Sequence, residues 1–201
     1  MNLRKYLIMG SQNCDEDPVK ILGAAIDAGI TVFQFREKGS DALTGNAKLR
    51  LGLKLRLMCS RYDIPFIVND DLNLVEPLEA DGIHVGQDDQ DAQQVRETFP
   101  DKFLGLSVSN QSEVSSSPIH LADYLGAGPM FHTSSKKDAK MPVGPEWIEQ
   151  LRREYPDKPI VGIGGINENN AASVMDAGAD GVAVISAVTK ATDINAAVQR
   201  L

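Results

Sequence analysis

Cysteine and histidine are too scarce and too scattered in this sequence to build a metal centre or a disulfide framework. Cys14 and Cys59 lie far apart and stand in no CxxC or Cys/His spacing. His84, His120 and His132 are equally dispersed, which removes a zinc triad. Such a chain suits a reducing cytoplasm. Long apolar runs are missing as well. The longest, Gly181 to Val188, is interrupted by Ser186 and falls short of the roughly 20 residues a membrane-spanning helix needs. Tyr6 to Met9, after Arg4 and Lys5, is shorter than a signal-peptide core and runs into polar Ser11-Gln12-Asn13. Positive charge is in deficit, with 20 basic against 28 acidic residues and a net charge of −8. This excludes a surface built to wrap nucleic acid or to lie on an anionic membrane, so any anionic ligand must be held by local groups.

What remains is 201 residues, 42% of them apolar, with no linker or low-complexity tract. That is enough for one large core and too little for two ordinary domains, so 1–201 reads as a single domain. Short β-rich runs recur at Lys5–Gly10, Thr31–Arg36, Pro65–Asn69, Gly82–Gly86, Phe103–Val108, Tyr124–Gly128, Ile160–Gly164 and Gly181–Ser186, each followed by a stretch of helical character. Eight such units predict an α/β fold, a (β/α)₈ TIM barrel, because an open doubly wound sheet usually needs only five or six strands. A weak repeat agrees: Ala80-Asp81-Gly82-Ile83-His84-Val85 resembles Ala179-Asp180-Gly181-Val182-Ala183-Val184, with Asp27-Ala28-Gly29-Ile30-Thr31-Val32 as a looser copy. In each, a glycine is expected to stop a helix in a left-handed cap before a strand begins. The helical exterior also leaves room for a homo-oligomer interface that carries no linear signal.

In a parallel barrel the functional residues belong at the C-terminal ends of the strands. At the second strand, alternation puts Gln34, Arg36 and Lys38 on one side and Phe33 and Phe35 on the other. The phenylalanines should meet the helices outside, leaving two cations and an amide in the barrel mouth as a diphosphate clamp. Solvated charges on a half-exposed strand are the competing reading. After the third and fourth strands stand Asn69-Asp70-Asp71 and Gly86-Gln87-Asp88-Asp89. Asp70 with Asp89 would supply two hard oxygen ligands for Mg²⁺, and helix capping by these same segments stays open beside that. The sixth strand runs into the longest loop, with Thr133-Ser134-Ser135-Lys136, which suits an oxyanion but also suits an idle surface. Gly162-Ile163-Gly164-Gly165 and the eighth strand's end at Ile185-Ser186 fall where such barrels bind phosphate.

Taken together, Gln34-Phe-Arg36-Glu-Lys38, Val68-Asn69-Asp70-Asp71, Ala80 to Asp89, Gly128 to Lys136, Gly162 to Ile166 and Gly181 to Ser186 closely resemble the thiamine phosphate synthase family in nearly the whole chain and in the family's order. The resemblance implies a Mg²⁺-dependent transferase acting on two small-molecule substrates, a pyrimidine diphosphate and a thiazole phosphate. It places Gln34, Arg36, Lys38, Asn69 and Lys136 on the pyrimidine diphosphate, with Ser107 against the pyrimidine. Asp70 and Asp89 match the Mg²⁺ ligands, and Thr133, Ser134, Ser135, Gly165, Ile185 and Ser186 match the thiazole phosphate site. Arg36, Lys38 and Lys136 would stabilise the departing diphosphate. The chain departs from the family's pattern at Ser135, often Thr, and at His132, often Pro. A thiazole tautomerase and a non-catalytic phosphate-ligand barrel are the rivals. The first, by the same resemblance, carries a histidine within the stretch that here reads Gly128-Pro129-Met130-Phe131, and the second needs no leaving-group metal.

Overall fold

The computed structural model describes residues 1–133, 135 and 140–201. Among them, eight strands pair in parallel and in chain order: β1 (Lys5–Met9), β2 (Val32–Phe35), β3 (Phe66–Asn69), β4 (Gly82–Val85), β5 (Phe103–Val108), β6 (Tyr124–Ala127), β7 (Ile160–Ile163) and β8 (Gly181–Val184). β8 returns to pair with β1, closing the (β/α)₈ barrel that the strand count predicts. The strands start within one residue of the expected positions, but most end a residue or two early. The backbone beyond Met9, Phe35 and Val184 leaves the ladder to form the mouth.

Helices cover the outside. α1 (Pro18–Asp27) begins with a proline at its first position and an Asp17 side chain that accepts from the Val19 N–H at 3.0 Å. α2 (Gly45–Arg61), α3 (Ala92–Thr98), α4 (Gln111–Ser116), α5 (Glu146–Glu154) and α6 (Ala171–Asp176) follow, and after β8 come α7 (Ser186–Thr189) and α8 (Ile194–Gln199). The expectation of a helix after every strand fails once. The β3–β4 connection holds only a 3₁₀ turn at Leu72–Leu74. That short connection buries Leu74, Val75 and Leu78 without the extra residues a longer helix would need.

Alternation along the strands divides the interior in two. Tyr6 and Ile8 of β1, Val32 of β2, Ile67, Tyr124, Val161 and Ala183 fill the barrel itself. Their neighbours Leu7, Met9, Phe33, Phe35 and Phe66 point outward into the larger core beneath the helices. The Phe33 and Phe66 rings sit 5.5 Å apart there, so the phenylalanines of β2 take the outward side that the sequence pattern assigns them.

The internal repeat is real, but its third copy is shifted. Asp27-Ala28-Gly29-Ile30-Thr31-Val32 matches Asp176-Ala177-Gly178-Ala179-Asp180-Gly181, because Gly29 and Gly178 each follow a helix C-cap with φ of +97° and +101°. These are the left-handed cap glycines. Gly82 and Gly181, expected in that role, are instead the first residues of strands. Just ahead of β4, β6 and β8, Asp81, Asp123 and Asp180 each accept from the backbone N–H of an adjoining strand, at Phe66, Leu104 and Ile160. Each also pairs with an arginine from a covering helix: Arg56 at 3.2 Å, Arg96 at 2.7 Å and Arg152 at 2.5 Å. Thr31 takes the equivalent place for β1, its Oγ1 accepting from the Lys5 N–H at 3.0 Å. The brackets tie helices to the base of the barrel. Asp123→Ala, which strands the Leu104 N–H and the Arg96 guanidinium, is expected to lower unfolding free energy by about 1–3 kcal/mol in urea titration. No helix among the described residues is long and apolar enough to cross a membrane.

Candidate active site

A cavity of about 200 Å³ lies at the C-terminal mouth of the barrel. On one side it is built by β2, β3 and β4. The backbone at Arg36 is held by its N–H donating to Met9 O at 3.0 Å and its carbonyl accepting from Gln12 Nε2 at 2.8 Å. Glu37 turns the other way and is buried, accepting from the Ser11 N–H and hydroxyl and from the Leu43 N–H. With Glu37 anchored outside, Gln34, Arg36 and Lys38 face the cavity.

Lys38 Nζ donates to both Asp70 and Asp89, the latter at 2.9 Å. The two carboxylates come from different strand ends, and Asn69 lines the cavity beside them. Burial, with the facing Asp89, outweighs Lys38 and pushes the Asp70 carboxyl up to about 6. For Asp89, burial is opposed and overcome by hydrogen bonds from Asp70, Lys38 and the Gly86 N–H, which hold it down to about 2. Burial also disfavours the Lys38 charge, but the two carboxylates prevail and raise its pKa.

The geometry removes helix capping as the role of Asp70 and Asp89. The cap of α3 is Asp91, whose side chain accepts from Gln93 and Gln94 N–H, and not Asp89. Asp71 precedes the 3₁₀ turn without capping it and pairs with Lys48 at 2.8 Å. Asp70 and Asp89 therefore have no capping work, and they already flank a cation. A pair of hard oxygen donors fits Mg²⁺, which commonly takes one or two carboxylates and completes its shell with water and substrate phosphates. Among the described residues no group of three or more His, Cys, Asp or Glu side chains could hold a metal unaided.

The opposite wall comes from β6, β7 and β8. Thr133, Ser135, Gly165, Ile185 and Ser186 line it. Ser135 N–H donates to Thr133 Oγ1 at 3.2 Å, and the Ser135 hydroxyl donates to Ser186 Oγ at 3.3 Å. Past β6 the chain keeps pairing with the end of β7, Met130 N–H donating to Ile163 O and Phe131 N–H to Gly164 O. Gly165 makes that approach feasible: its φ is +67°, and a Cβ there would stand 2.4 Å from the His132 carbonyl. Hydroxyls and exposed backbone around such a turn suit a phosphate. Ser134 and Lys136, expected at this wall and over the diphosphate, lie outside the described residues.

Sequence reasoning missed several residues of the site. His84 bridges Tyr124 Oη at 3.0 Å and Ser107 Oγ at 2.8 Å within the cavity wall, and Tyr6 joins them. Period-two alternation applied to strands one, four and six would have turned all three side chains inward. Glu113 and Lys140, paired at 2.6 Å at the rim, have no local signal, since 27 residues separate them.

Comparison with known proteins points to one family. A family model described as thiamine monophosphate synthase matches residues 5–188. A protein of Oceanobacillus iheyensis named thiamine-phosphate synthase is 55% identical over 199 residues, covering 99% of this chain and 97% of that protein. One of the same name from Staphylococcus epidermidis is 50% identical over 199 residues, covering 98% and 94%. The solved structure of a thiamine phosphate pyrophosphorylase from Pyrococcus furiosus superposes with a TM-score of 0.87 at 33% identity, covering 100% of this chain and 94% of that one.

Proposed function

Since the chain belongs to the thiamine monophosphate synthase family, we propose that its barrel mouth binds an aminopyrimidine diphosphate on the β2–β4 side and a thiazole phosphate on the β6–β8 side. The enzyme is a transferase, a thiamine phosphate synthase. The bond between the pyrimidinylmethyl carbon and the diphosphate oxygen breaks, its electron pair leaving with diphosphate. The thiazole nitrogen then donates its lone pair to that carbon, giving thiamine phosphate. No side-chain nucleophile enters the balance.

The observation that carries this reading is the convergence of Arg36, Lys38, Asp70 and Asp89 on one wall of a cavity whose other wall presents Thr133, Ser135 and Ser186. Arg36 and Lys38, with Lys136, stabilise the charge that grows on the leaving diphosphate, a contribution larger in the transition state than in the bound substrate. Asp70 and Asp89 would hold Mg²⁺, which when bound supplies further neutralisation of that diphosphate. Thr133, Ser134, Ser135, Gly165, Ile185 and Ser186 hold the thiazole phosphate, so that the nucleophile is positioned before the cation forms. Gln34, Asn69 and Ser107 receive the pyrimidine side. Neither rival has an observation in its favour: Gly128-Pro129-Met130-Phe131 offers no histidine for a tautomerase, and paired carboxylates serve no purpose in a simple binder.

Mixing the purified protein with both substrates and Mg²⁺ should yield thiamine phosphate by product chromatography, and a chelator should abolish it. Binding of thiazole phosphate without product under either condition would overturn the synthase reading.

A further inference from the structure

Five side chains from five different strands form an unbroken hydrogen-bonded chain across the barrel. Gln34 Nε2 donates to Tyr6 Oη at 2.8 Å, Tyr6 and Tyr124 hydroxyls meet at 2.8 Å, Tyr124 Oη meets His84 Nδ1 at 3.0 Å, and His84 Nε2 meets Ser107 Oγ at 2.8 Å. Both ends, Gln34 and Ser107, line the cavity. The room for this chain is built in. Gly105 of β5 lies in register between His84 and Tyr124, and a Cβ there would come within 2.2 Å of the Tyr124 ring and 2.4 Å of His84 Nδ1.

Each hydroxyl has a single proton to give, so one end determines the other. With Gln34 donating to Tyr6, the acceptor that the structure offers the Tyr6 proton is Tyr124 Oη, and the Tyr124 proton then goes to His84 Nδ1. His84 then carries its own proton on Nε2 and donates it to Ser107 Oγ, so the Ser107 O–H is directed elsewhere, toward the cavity. Burial pushes both phenols far above their ordinary pKa, so each keeps its one proton. Gln34 gives one of its two amide N–H groups to Tyr6, which fixes the orientation of the amide and leaves its carbonyl oxygen as an acceptor.

We propose that Tyr6, Tyr124 and His84 are positioning residues that lock Ser107 as a hydrogen-bond donor and Gln34 as an acceptor in the pocket, selecting a pyrimidine with an exocyclic amine and an unprotonated ring nitrogen over its oxo counterpart. This rests on the synthase reading above. An aminopyrimidine offers an N–H to Gln34 Oε1 and a ring lone pair to Ser107, whereas a 4-oxo ring carries N–H where the amine form has a lone pair and a carbonyl where it has an amine. The two ends cannot adapt separately, since reversing either requires reversing every bond between them.

The direct test is ¹⁵N NMR of the histidine side chains in the wild-type protein, with His84 assigned by the signal lost in His84→Gln. A neutral Nε2–H tautomer is expected, and an Nδ1–H tautomer overturns the proposal. The second test uses Tyr6→Phe, which removes one buried hydroxyl and cuts the chain. The KM for the aminopyrimidine diphosphate is expected to rise about tenfold, the scale of one lost neutral hydrogen bond, with the KM for thiazole phosphate unchanged. Preference for the amino substrate over its 4-oxo analogue should fall by a similar factor. An unaltered preference, or an equal rise in both KM values, overturns the positioning role, and Tyr124→Phe provides the same reading should Tyr6→Phe not fold. If wild-type protein makes no thiamine phosphate, the synthase reading fails, while the tautomer still judges the direction of the chain.

Discussion

Asp70→Asn is expected to reduce Mg²⁺-dependent turnover on the order of a thousandfold while leaving thiazole phosphate binding intact. Asparagine is the informative replacement. Asp70 sits at φ +58°, a left-handed conformation that Asp and Asn tolerate and alanine does not favour. Asp70→Ala therefore mixes loss of a carboxylate with backbone strain, whereas Asp70→Asn keeps the shape and removes only the charge. Lys38 would retain Asp89 as a partner, so the local fold should survive. Thiazole phosphate binding should be spared because Thr133, Ser135 and Ser186 belong to the opposite wall and share no hydrogen bond with Asp70. Steady-state kinetics across a Mg²⁺ series, with calorimetric binding of thiazole phosphate, separates the two effects. Wild-type turnover in Asp70→Asn would remove Asp70 from the metal site.

The largest effect on stability should come from Gly181→Ala, at a position with no part in the chemistry. A Cβ at Gly181 would stand 1.9 Å from Leu3 O, 2.5 Å from Leu3 C and 2.8 Å from Arg4 Cα. These are backbone atoms just ahead of β1, at the seam where β8 closes the barrel, and they cannot rotate aside as a flexible side chain would. Overpacking of a core commonly costs 1–3 kcal/mol, and a clash against paired backbone belongs at or beyond the top of that range. A loss of at least about 3 kcal/mol is expected in urea unfolding, a large share of a typical domain's stability. Gly29→Ala is the matched control. No atom lies within 4 Å of its added methyl, and only the positive φ opposes it, so its cost should stay near 1 kcal/mol. Equal losses for the two variants would show that the backbone contact at the barrel seam does not govern Gly181.

These two positions also mark where sequence reasoning held and where it stopped. Asp70 and Asp89 were legible as carboxylates at strand ends, since strand position follows from local alternation. Whether they cap a helix or face each other was not legible, because capping is a matter of one turn of backbone geometry, and Asp91 takes that role two residues on from Asp89. Gly181 was legible as part of a repeat, but its role was misplaced. Cap glycines and seam glycines are the same letter, separated only by whether φ or a neighbouring chain excludes the methyl group.

The sequence by itself determined the barrel, the strand positions and the side of β2 that faces the mouth, because each depends on contacts among residues near in the chain and on a period of two. Tertiary structure alone decided the pairing of Lys38 with both aspartates and the line from Gln34 through Tyr6, Tyr124 and His84 to Ser107. Successive links of that line span 28, 118, 40 and 23 residues. Closure of β8 on β1 brings such distant residues within a hydrogen bond of one another, and no local pattern encodes which inward side chains will meet once the ring is shut.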